Sequence, residues 1–299
     1  MFRQTALAQI MPPPVPAMSG WAQDVITQRL TDECQPEVLQ FLAQRPLHTV
    51  SLVGIIRDNG LVSPFNRGSF YACRNRSGEL EGVALIGHAT LMETRTERAL
   101  QAFAEVAQKC TTAHMIMGER ARIEEFWNYY SEDGQQLRRA CREWLFELRC
   151  PIEVRESSPG LRLATPDDLD LVLPVHAQMA FEESGVNPLK EDPVGFRERC
   201  LRRIELCRTW VLIESGRLIF KSDIVSDTKS VVYLEGIWTA PEDRGKGHGL
   251  RCMSELGQFL LQRADSICVL VNEQNIPAHE FYKRAGFRFR SVYDTIFLA

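Results

Sequence analysis

The spacing of apolar residues switches repeatedly between the period of a helix and that of a strand, and both halves of the chain show the same succession. Within 97–109, Leu100, Phe103, Val106 and Ala107 follow helical spacing. The first half is predicted to contain helices at 36–44, 97–109, 121–130 and 135–148, strands at 69–75, 80–91 and 113–117, and a further buried segment at 49–56.

The second half repeats this succession at greater length. It is predicted to contain strands at 161–164, 209–214, 218–225, 231–239, 266–271 and 288–298, and helices at 166–181, 193–203, 250–263 and 276–285. Thr165 is the N-cap candidate of the first of these helices, with Asp167 and Asp168 in its first turn. Strands interleaved with helices in this way predict an α/β fold with a mixed (α+β) sheet and helices on both faces.

A cluster of residues that break both helix and strand, Ser157-Ser158-Pro159-Gly160, separates the two halves. We therefore predict two domains, at 21–155 and 158–299, preceded by a flexible proline-rich tail at 1–20. The run Pro12-Pro13-Pro14-Val15-Pro16 favours an extended tail over a signal peptide.

Composition excludes several classes of partner and cofactor. A net charge of -4 argues against nucleic acid, and no apolar run approaches the roughly 20 residues that would span a membrane. The nine cysteines form no Cys-x-x-Cys pair, and the six histidines form no ligand set with metal spacing. We expect reduced thiols in a cytoplasmic protein without a metal.

The segment Arg244-Gly245-Lys246-Gly247-His248-Gly249 has the composition of a phosphate-binding loop. It follows a predicted strand and opens directly into a predicted helix, whose unpaired N–H groups and positive dipole end attract phosphate oxygens. Glycines let the backbone approach a pyrophosphate closely, and Arg244 and Lys246 add positive charge. A Walker loop would need Ser or Thr after Lys246, and the dinucleotide fingerprint would follow the first strand of a βαβ unit, so neither fits.

Two motifs in this half resemble the GNAT superfamily of N-acetyltransferases. Arg244-x-x-Gly247-x-Gly249 is similar to the coenzyme A-binding motif of that family. The later motif, Asn275-x-x-Ala278-x-x-x-Tyr282-x-Arg284-x-Gly286-Phe287, is similar to its following helix. The resemblance covers about 161–299 and implies a GNAT fold that transfers an acyl group, with acetyl-CoA as co-substrate, to an amine.

The resemblance also assigns roles to residues. It implies that Glu235 is the base and Tyr282 the acid, and that the backbone N–H near Ile237 polarises the acyl carbonyl. It places the coenzyme against Ile237, Trp238, Thr239, Arg244, Gly245, Lys246, Gly247, His248, Gly249, Asn275, Ala278 and Tyr282. Counted with the period of a strand, Tyr233, Glu235, Ile237 and Thr239 share one face, and the side chain of Trp238 lies on the opposite face in the core.

The first half resembles a GNAT fold in outline but carries Glu93-Thr94-Arg95-Thr96-Glu97 in place of the glycine loop. We therefore expect a degenerate, coenzyme-free copy and one active site per chain. The expected partners are an acyl-CoA and an amine acceptor, while self-association into a homodimer is left open. Two other functions stay open: a regulatory module that senses acyl-CoA without turnover, and transfer from an aminoacyl-tRNA, against which the acidic balance argues.

Overall fold

The computed structural model describes residues 25–151, 153 and 160–299, which divide into two compact units. Unit 1 contains the described chain up to Leu145 together with Val271–Gln274 and Arg290–Ala299, and unit 2 contains Phe146–Leu270 together with Asn275–Phe289. The predicted tail at 1–20 and most of the predicted linker lie outside the described residues.

Unit 1 is a mixed sheet with two pairs of helices. Its strands are β1 (Val25–Arg29), β2 (Gly68–Asn75), β3 (Leu80–Gly87), β4 (Ala89–Thr94), β5 (Met115–Glu119), most of β6 (Leu137–Leu148) and most of β12 (Arg288–Leu298). Its helices are α1 (Gln35–Leu42), α2 (Pro46–Asn59), α3 (Glu97–Gln108) and α4 (Arg120–Tyr130). The strand order is β1-β2-β3-β4-β5-β12-β6, in which β4 and β5 are parallel.

Alternating side chains of β2 and β3 explain why the helices of unit 1 lie on both faces of its sheet. Phe70 and Leu85 belong to the apolar cluster that α1 and α2 cover, whereas Cys73 and Ala84 belong to the cluster that α3 and α4 cover. Successive residues of a strand point to opposite faces, so one strand supplies both cores.

Two predictions for the first half are wrong. The segment 135–148 is not a helix but contains strand β6, although its apolar residues recur every three or four positions. A strand covered on both faces need not alternate, so pairing within the sheet overrides the local pattern. The predicted strand 80–91 is two strands, β3 and β4, which pair antiparallel with Leu85 opposite Leu91.

Unit 2 repeats the order of elements found in unit 1. Its strands are β7 (Arg162–Leu163), β8 (Thr209–Glu214), β9 (Arg217–Asp227), β10 (Val232–Thr239) and β11 (Ile267–Asn272), the last only up to Leu270. Its helices are α5 (Leu169–Ser184), α6 (Pro188–Glu191), α7 (Pro193–Glu205), α8 (His248–Leu261) and α9 (Ile276–Arg284). The strands β7 to β10 are antiparallel neighbours, and β10 and β11 are parallel.

The C-terminal strand does not follow the predicted domain boundary. Residues from Arg290 onward belong to unit 1, where Tyr293–Phe297 of β12 pair with β5. The chain therefore completes its first unit with its last residues, which a division by residue number alone does not reveal.

Three absences hold for the described residues. All nine cysteines lie among them and all are free. Over the described ranges no group of three or more potential ligands could hold a metal ion, and no described helix is long and apolar enough to cross a membrane.

The predicted N-cap, Thr165, begins the 3-10 turn Pro166–Asp168 that leads into α5. The Asp168 carboxylate accepts a hydrogen bond from the Thr165 backbone N–H at 2.7 Å and is paired with Arg162 at 2.6 Å. The hydrogen bond from Arg162 outweighs desolvation and lowers the pKa of Asp168 to about 2. The cap therefore stabilises the fold while this carboxyl is ionised.

Replacing Asp168 by Asn should reduce the free energy of unfolding by about 1–2 kcal/mol at pH 7. Because the pKa is lower in the folded state than in the unfolded state, the difference between variant and parent is complete above about pH 4 and shrinks as the pH falls toward 2. Urea unfolding over that range measures it. Asp167→Asn is the matched control, and a difference that does not change with pH would contradict the assignment.

Candidate functional site

Strand β10 is interrupted by a bulge at the level of Glu235. In the register with β9, Glu235 lies opposite Asp223 and Trp238 opposite Lys221, so Gly236 and Ile237 together face one residue of β9. Gly236 has φ +59°, and a Cβ there would lie 2.5 Å from an Asp223 oxygen. Only glycine satisfies this backbone and this close approach.

The bulge corrects the predicted faces of β10. Glu235 and Trp238 lie opposite Asp223 and Lys221, which are two residues apart on β9. Residues two apart on a strand share a face, so the register puts Glu235 and Trp238 on the same face and not on opposite faces. A second irregularity separates Tyr233 from Leu234. A count with period two therefore fails along this strand, although the Trp238 side chain does pack against the apolar cluster of α5 and α7, as expected.

Glu235 is an exposed carboxylate held by a neighbouring phenol. The Tyr233 hydroxyl donates to its Oε1 at 2.6 Å, and Tyr233 itself is buried. A donor anchored in the core limits the rotamers of the carboxylate. The Glu235 side chain is thus oriented although it is exposed.

The glycine loop ends in the N-terminus of α8. Gly247 is the N-cap with φ +85°, and it offers no side chain to the first-turn N–H groups. A Cβ on Gly249 would lie 3.0 Å from Thr239 Oγ1 and 3.3 Å from the Phe281 ring. Glycine at this position therefore lets α8 start close to the end of β10 and to α9, with its N–H groups uncapped.

Cations flank this loop. Arg244 Nε donates to the Thr239 carbonyl at 3.2 Å, and Lys246 Nζ lies 2.8 Å from Asp243 Oδ1. Arg217 pairs with the other oxygen of Asp243 at 2.9 Å. Hydrogen bonds from Lys246 and then Arg217 hold the pKa of Asp243 below its usual range, so it stays charged and anchors both cations beside the loop.

The later motif lies on α9. Asn275 is its N-cap, and its Oδ1 accepts from the Ala278 N–H at 3.2 Å. Tyr282 is buried against Phe281, Phe287 and Phe146 at ring distances of 5.2, 5.4 and 6.3 Å. Burial raises the pKa of Tyr282 above its ordinary value, so the phenol stays protonated. Its hydroxyl has no hydrogen-bond partner within the part of the chain that the structure describes.

Unit 1 has the opposite chemistry at the corresponding helix start. Helix α3 is capped by Thr96, whose hydroxyl accepts from the Ala99 N–H at 3.3 Å, and Glu97 adds a negative charge in the first turn. A capped and acidic helix start repels phosphate. The structure thus gives a physical reason for the prediction that the first half binds no coenzyme, which stays a prediction.

The structure brings the loop, the end of β10 and the start of α8 together around Gly249, with α9 beside them. Sequence reasoning missed a buried charged cluster under the bulge, formed by Lys221, Asp223 and His176. The available signal was a Lys-x-Asp pair inside the otherwise apolar run 218–225. A strand with charges at alternate positions is usually interpreted as solvated, and this one is buried.

Comparisons with known proteins agree with this geometry. Residues 180–287 match the sequence profile of the acetyltransferase (GNAT) family. No curated protein sequence matches the chain. The profile lies within the second half and includes both motifs, so the predicted family resemblance of that half is confirmed.

Solved structures extend the likeness to the fold of nearly the whole chain. A GNAT-family acetyltransferase from Colwellia psychrerythraea is similar over 92% of this chain and 99% of its own, with a TM-score of 0.59 and 10% identity. A GCN5-related N-acetyltransferase from Sphaerobacter thermophilus covers 91% and 94%, with a TM-score of 0.57 and 15% identity. A tandem GNAT protein from the clavulanic acid biosynthesis pathway covers 92% and 98%, with a TM-score of 0.55 and 12% identity. The predicted GNAT fold, including its tandem form, is thus confirmed.

Gly236→Ala tests the bulge directly. It should lower the free energy of unfolding by about 2–4 kcal/mol, because the new Cβ combines left-handed strain with a clash against the buried Asp223. Gly216→Ala is the matched control, since Gly216 has φ +75° and open space where its Cβ would be. We expect the control to lose only about 1 kcal/mol in urea unfolding. Equal losses would show that the close approach is unimportant.

Proposed function

We propose that the protein is an acyl-CoA-dependent N-acyltransferase. The match of residues 180–287 to the GNAT acetyltransferase family supports this proposal. The proposed reaction transfers acetyl from acetyl-CoA to a primary amine of a small molecule or a protein by direct attack. The observation that carries the proposal is the start of α8, where an uncapped glycine N-terminus with Arg244 and Lys246 beside it adjoins the bulged end of β10.

The pyrophosphate of the coenzyme fits the loop electrostatically. First-turn N–H groups of α8 supply donors, the helix dipole supplies positive potential, and Arg244 and Lys246 supply charge. Gly245 has φ +79° with no atom near its Cβ position, so the backbone there lies open to a ligand. Ile237, Trp238 and Thr239 would then lie along the acyl and pantetheine part, and Asn275 and Ala278 along the other side of the arm.

The reaction has three steps. The acceptor ammonium first loses a proton. The amine nitrogen then attacks the thioester carbon and loses a second proton, and the carbon–sulfur bond breaks to leave a thiolate. Glu235 is the proposed base: it is solvent-exposed, so an arriving ammonium can reach it, and Tyr233 orients it. A water relay serves equally well where the acceptor nitrogen lies farther from the carboxylate.

Tyr282 is the proposed acid. Its burial raises the pKa of the phenol, which therefore exceeds the roughly 8.5 of a thiol. The phenol donates a hydrogen bond to the sulfur, passes its proton to the thiolate as the carbon–sulfur bond breaks, and is then reprotonated from solvent. A hydroxyl without a partner in the described structure is available for this donation.

The proposal is tested by thiol release. Amines, amino acids and peptides are screened with acetyl-, propionyl- and succinyl-CoA, and the amide product is identified by mass spectrometry. With acetyl-CoA we expect thiol release that depends on the amine. In equilibrium binding we expect one coenzyme per chain. Binding of one acyl-CoA without release from any acceptor would favour a sensing module, and absence of binding would refute the proposal.

Glu235→Gln should lower kcat/KM about 10²–10³-fold, since the amide cannot accept the amine proton. Acetyl-CoA affinity should stay within twofold, because the loop is unchanged. The rate constant kcat/KM is measured with the best acceptor from the screen, and Glu214→Gln, which changes an exposed carboxylate at the end of β8, is the control. A kcat/KM equal to that of the parent would remove Glu235 as the base.

Tyr282→Phe should lower kcat about 10²-fold with little change in coenzyme affinity or stability. The hydroxyl has no partner in the described residues, so its loss leaves no buried group unpaired. Stopped-flow or steady-state thiol release measures kcat, and Tyr129→Phe, which removes an exposed hydroxyl bound to Glu97, is the matched control. Equal kcat in variant and parent would exclude the acid role.

A further inference from the structure

A lysine and an aspartate lie together in the interior of unit 2. Lys221 and Asp223, on β9, are both 0% exposed. Moving two charges out of water costs several kcal/mol for each ion, and apolar residues of similar volume often stabilise a protein as well or better. Stability alone therefore does not explain this pair, and its contacts have to be considered.

Both members of the pair are hydrogen-bonded. Lys221 Nζ donates to Asp223 Oδ2 at 2.6 Å and to the carbonyl oxygen of Gly236 at 2.8 Å. The other Asp223 oxygen accepts from the Thr209 hydroxyl at 2.8 Å, and His176 Nε2 lies 3.3 Å from Oδ2. The ammonium thus connects a buried carboxylate with one particular backbone carbonyl.

Contact between the two groups favours the charged form of each. Desolvation acts to raise the pKa of Asp223, but Lys221 outweighs it and holds that pKa below its usual range. Burial lowers the pKa of Lys221, and the Asp223 carboxylate opposes this change. Burial also lowers the pKa of His176, whose Nε2 lies near Asp223 without hydrogen-bond geometry.

The Gly236 carbonyl belongs to the peptide that forms the bulge. In a trans peptide the C=O of Gly236 and the N–H of Ile237 point in opposite directions. The C=O is directed at the Lys221 ammonium, so the N–H is directed away from that ammonium. The pairing of β10 with β11 extends only from Val232 to Leu234, so the Ile237 N–H lies beyond the residues paired with β11.

We propose that Lys221 is a positioning residue that presents the Ile237 N–H as hydrogen-bond donor to the thioester carbonyl of a bound acyl-CoA. This inference rests on the proposed function. Lys221 touches neither substrate nor coenzyme in this arrangement and acts through one peptide unit. Asp223 holds the ammonium in place, and Thr209 and His176 lie against Asp223.

The Lys221 ammonium on the Gly236 carbonyl fixes the orientation of the peptide and also polarises it. A hydrogen bond from the ammonium polarises the peptide, and hydrogen bonds in a chain strengthen one another. The Ile237 N–H therefore becomes a stronger donor to the oxygen on which negative charge develops. Preorganised donors of this kind contribute most in a site with a low dielectric constant, which the buried position of Lys221 provides.

The test compares three variants, which together separate donation to the peptide from the ion pair. Lys221→Met removes the donation and leaves Asp223 with Thr209 and His176. Asp223→Asn removes the ion pair but keeps the donation from Lys221 to Gly236. The double variant K221M/D223N removes both charges while the amide can still accept from Thr209, so no unpaired buried charge threatens folding.

The main readout is the carbonyl stretch of bound acetyl-CoA, labelled with carbon-13 at the acetyl carbonyl, by infrared difference spectroscopy. In wild type and in Asp223→Asn we expect the carbonyl stretch of bound acetyl-CoA at a lower frequency than in free acetyl-CoA. In Lys221→Met and K221M/D223N we expect it near the free value. With an acceptor that the wild type acetylates, kcat of these two variants should fall about 10–100-fold. The Kd for coenzyme A should stay within twofold, because the glycine loop is unchanged.

The outcomes are distinguishable. A Met variant that binds acetyl-CoA with the wild-type carbonyl shift would overturn the role of Lys221, and so would wild-type protein that binds without any shift. If Lys221→Met does not fold, the double variant decides the same question. A carbonyl shift without transfer to any amine would refute acyl transfer while supporting Lys221, and absence of coenzyme binding in wild type would refute both.

Discussion

The hydrogen bond from the buried Lys221 ammonium to the Gly236 carbonyl is the contact on which the site of unit 2 depends. It lies where β10 has passed the last residue paired with β11 and still pairs with β9. A bulge at that point would be free to relax if nothing held its peptide plane. Here the carbonyl is bound by the Lys221 ammonium, which is also bound to Asp223 and is shielded from solvent. The bulge therefore has one orientation, and glycine is needed because the two charged groups fill the space of a Cβ.

The two units show how one order of elements can give a helix start that favours an anion or one that opposes it. In both, a strand is followed by a short connection and then a helix. At α8 the N-cap is Gly247, which leaves the first-turn N–H groups uncapped; at α3 the Thr96 hydroxyl accepts from one of them, and Glu97 opposes the dipole. The difference is a few side chains in an unchanged frame. Fold and site are thus separable properties, and likeness of fold alone does not confer the chemistry.

Much of the local geometry around the candidate site could be predicted because its signals are local. A glycine loop between strand and helix, an N-cap Asn275 and a tyrosine one helix later are readable from neighbouring residues. What failed depends on distant pairing. Strand β6 carries helical spacing yet pairs within the sheet, the last residues complete unit 1, and the bulge in β10 breaks a period-two count. No short window contains the partner strands that decide these features.

The two proposed catalytic groups lie in opposite environments, and each environment fits the proposed role. The phenol of Tyr282 is neutral before it donates, and its apolar surroundings raise its pKa and so maintain that form. The Glu235 side chain is exposed, so an acceptor can reach it, and one of its oxygens is bound by the Tyr233 hydroxyl. Lys221 is buried as well, and the Asp223 carboxylate 2.6 Å away favours its charged form against desolvation. Its ammonium is thus buried at the point where it binds the backbone of the bulge.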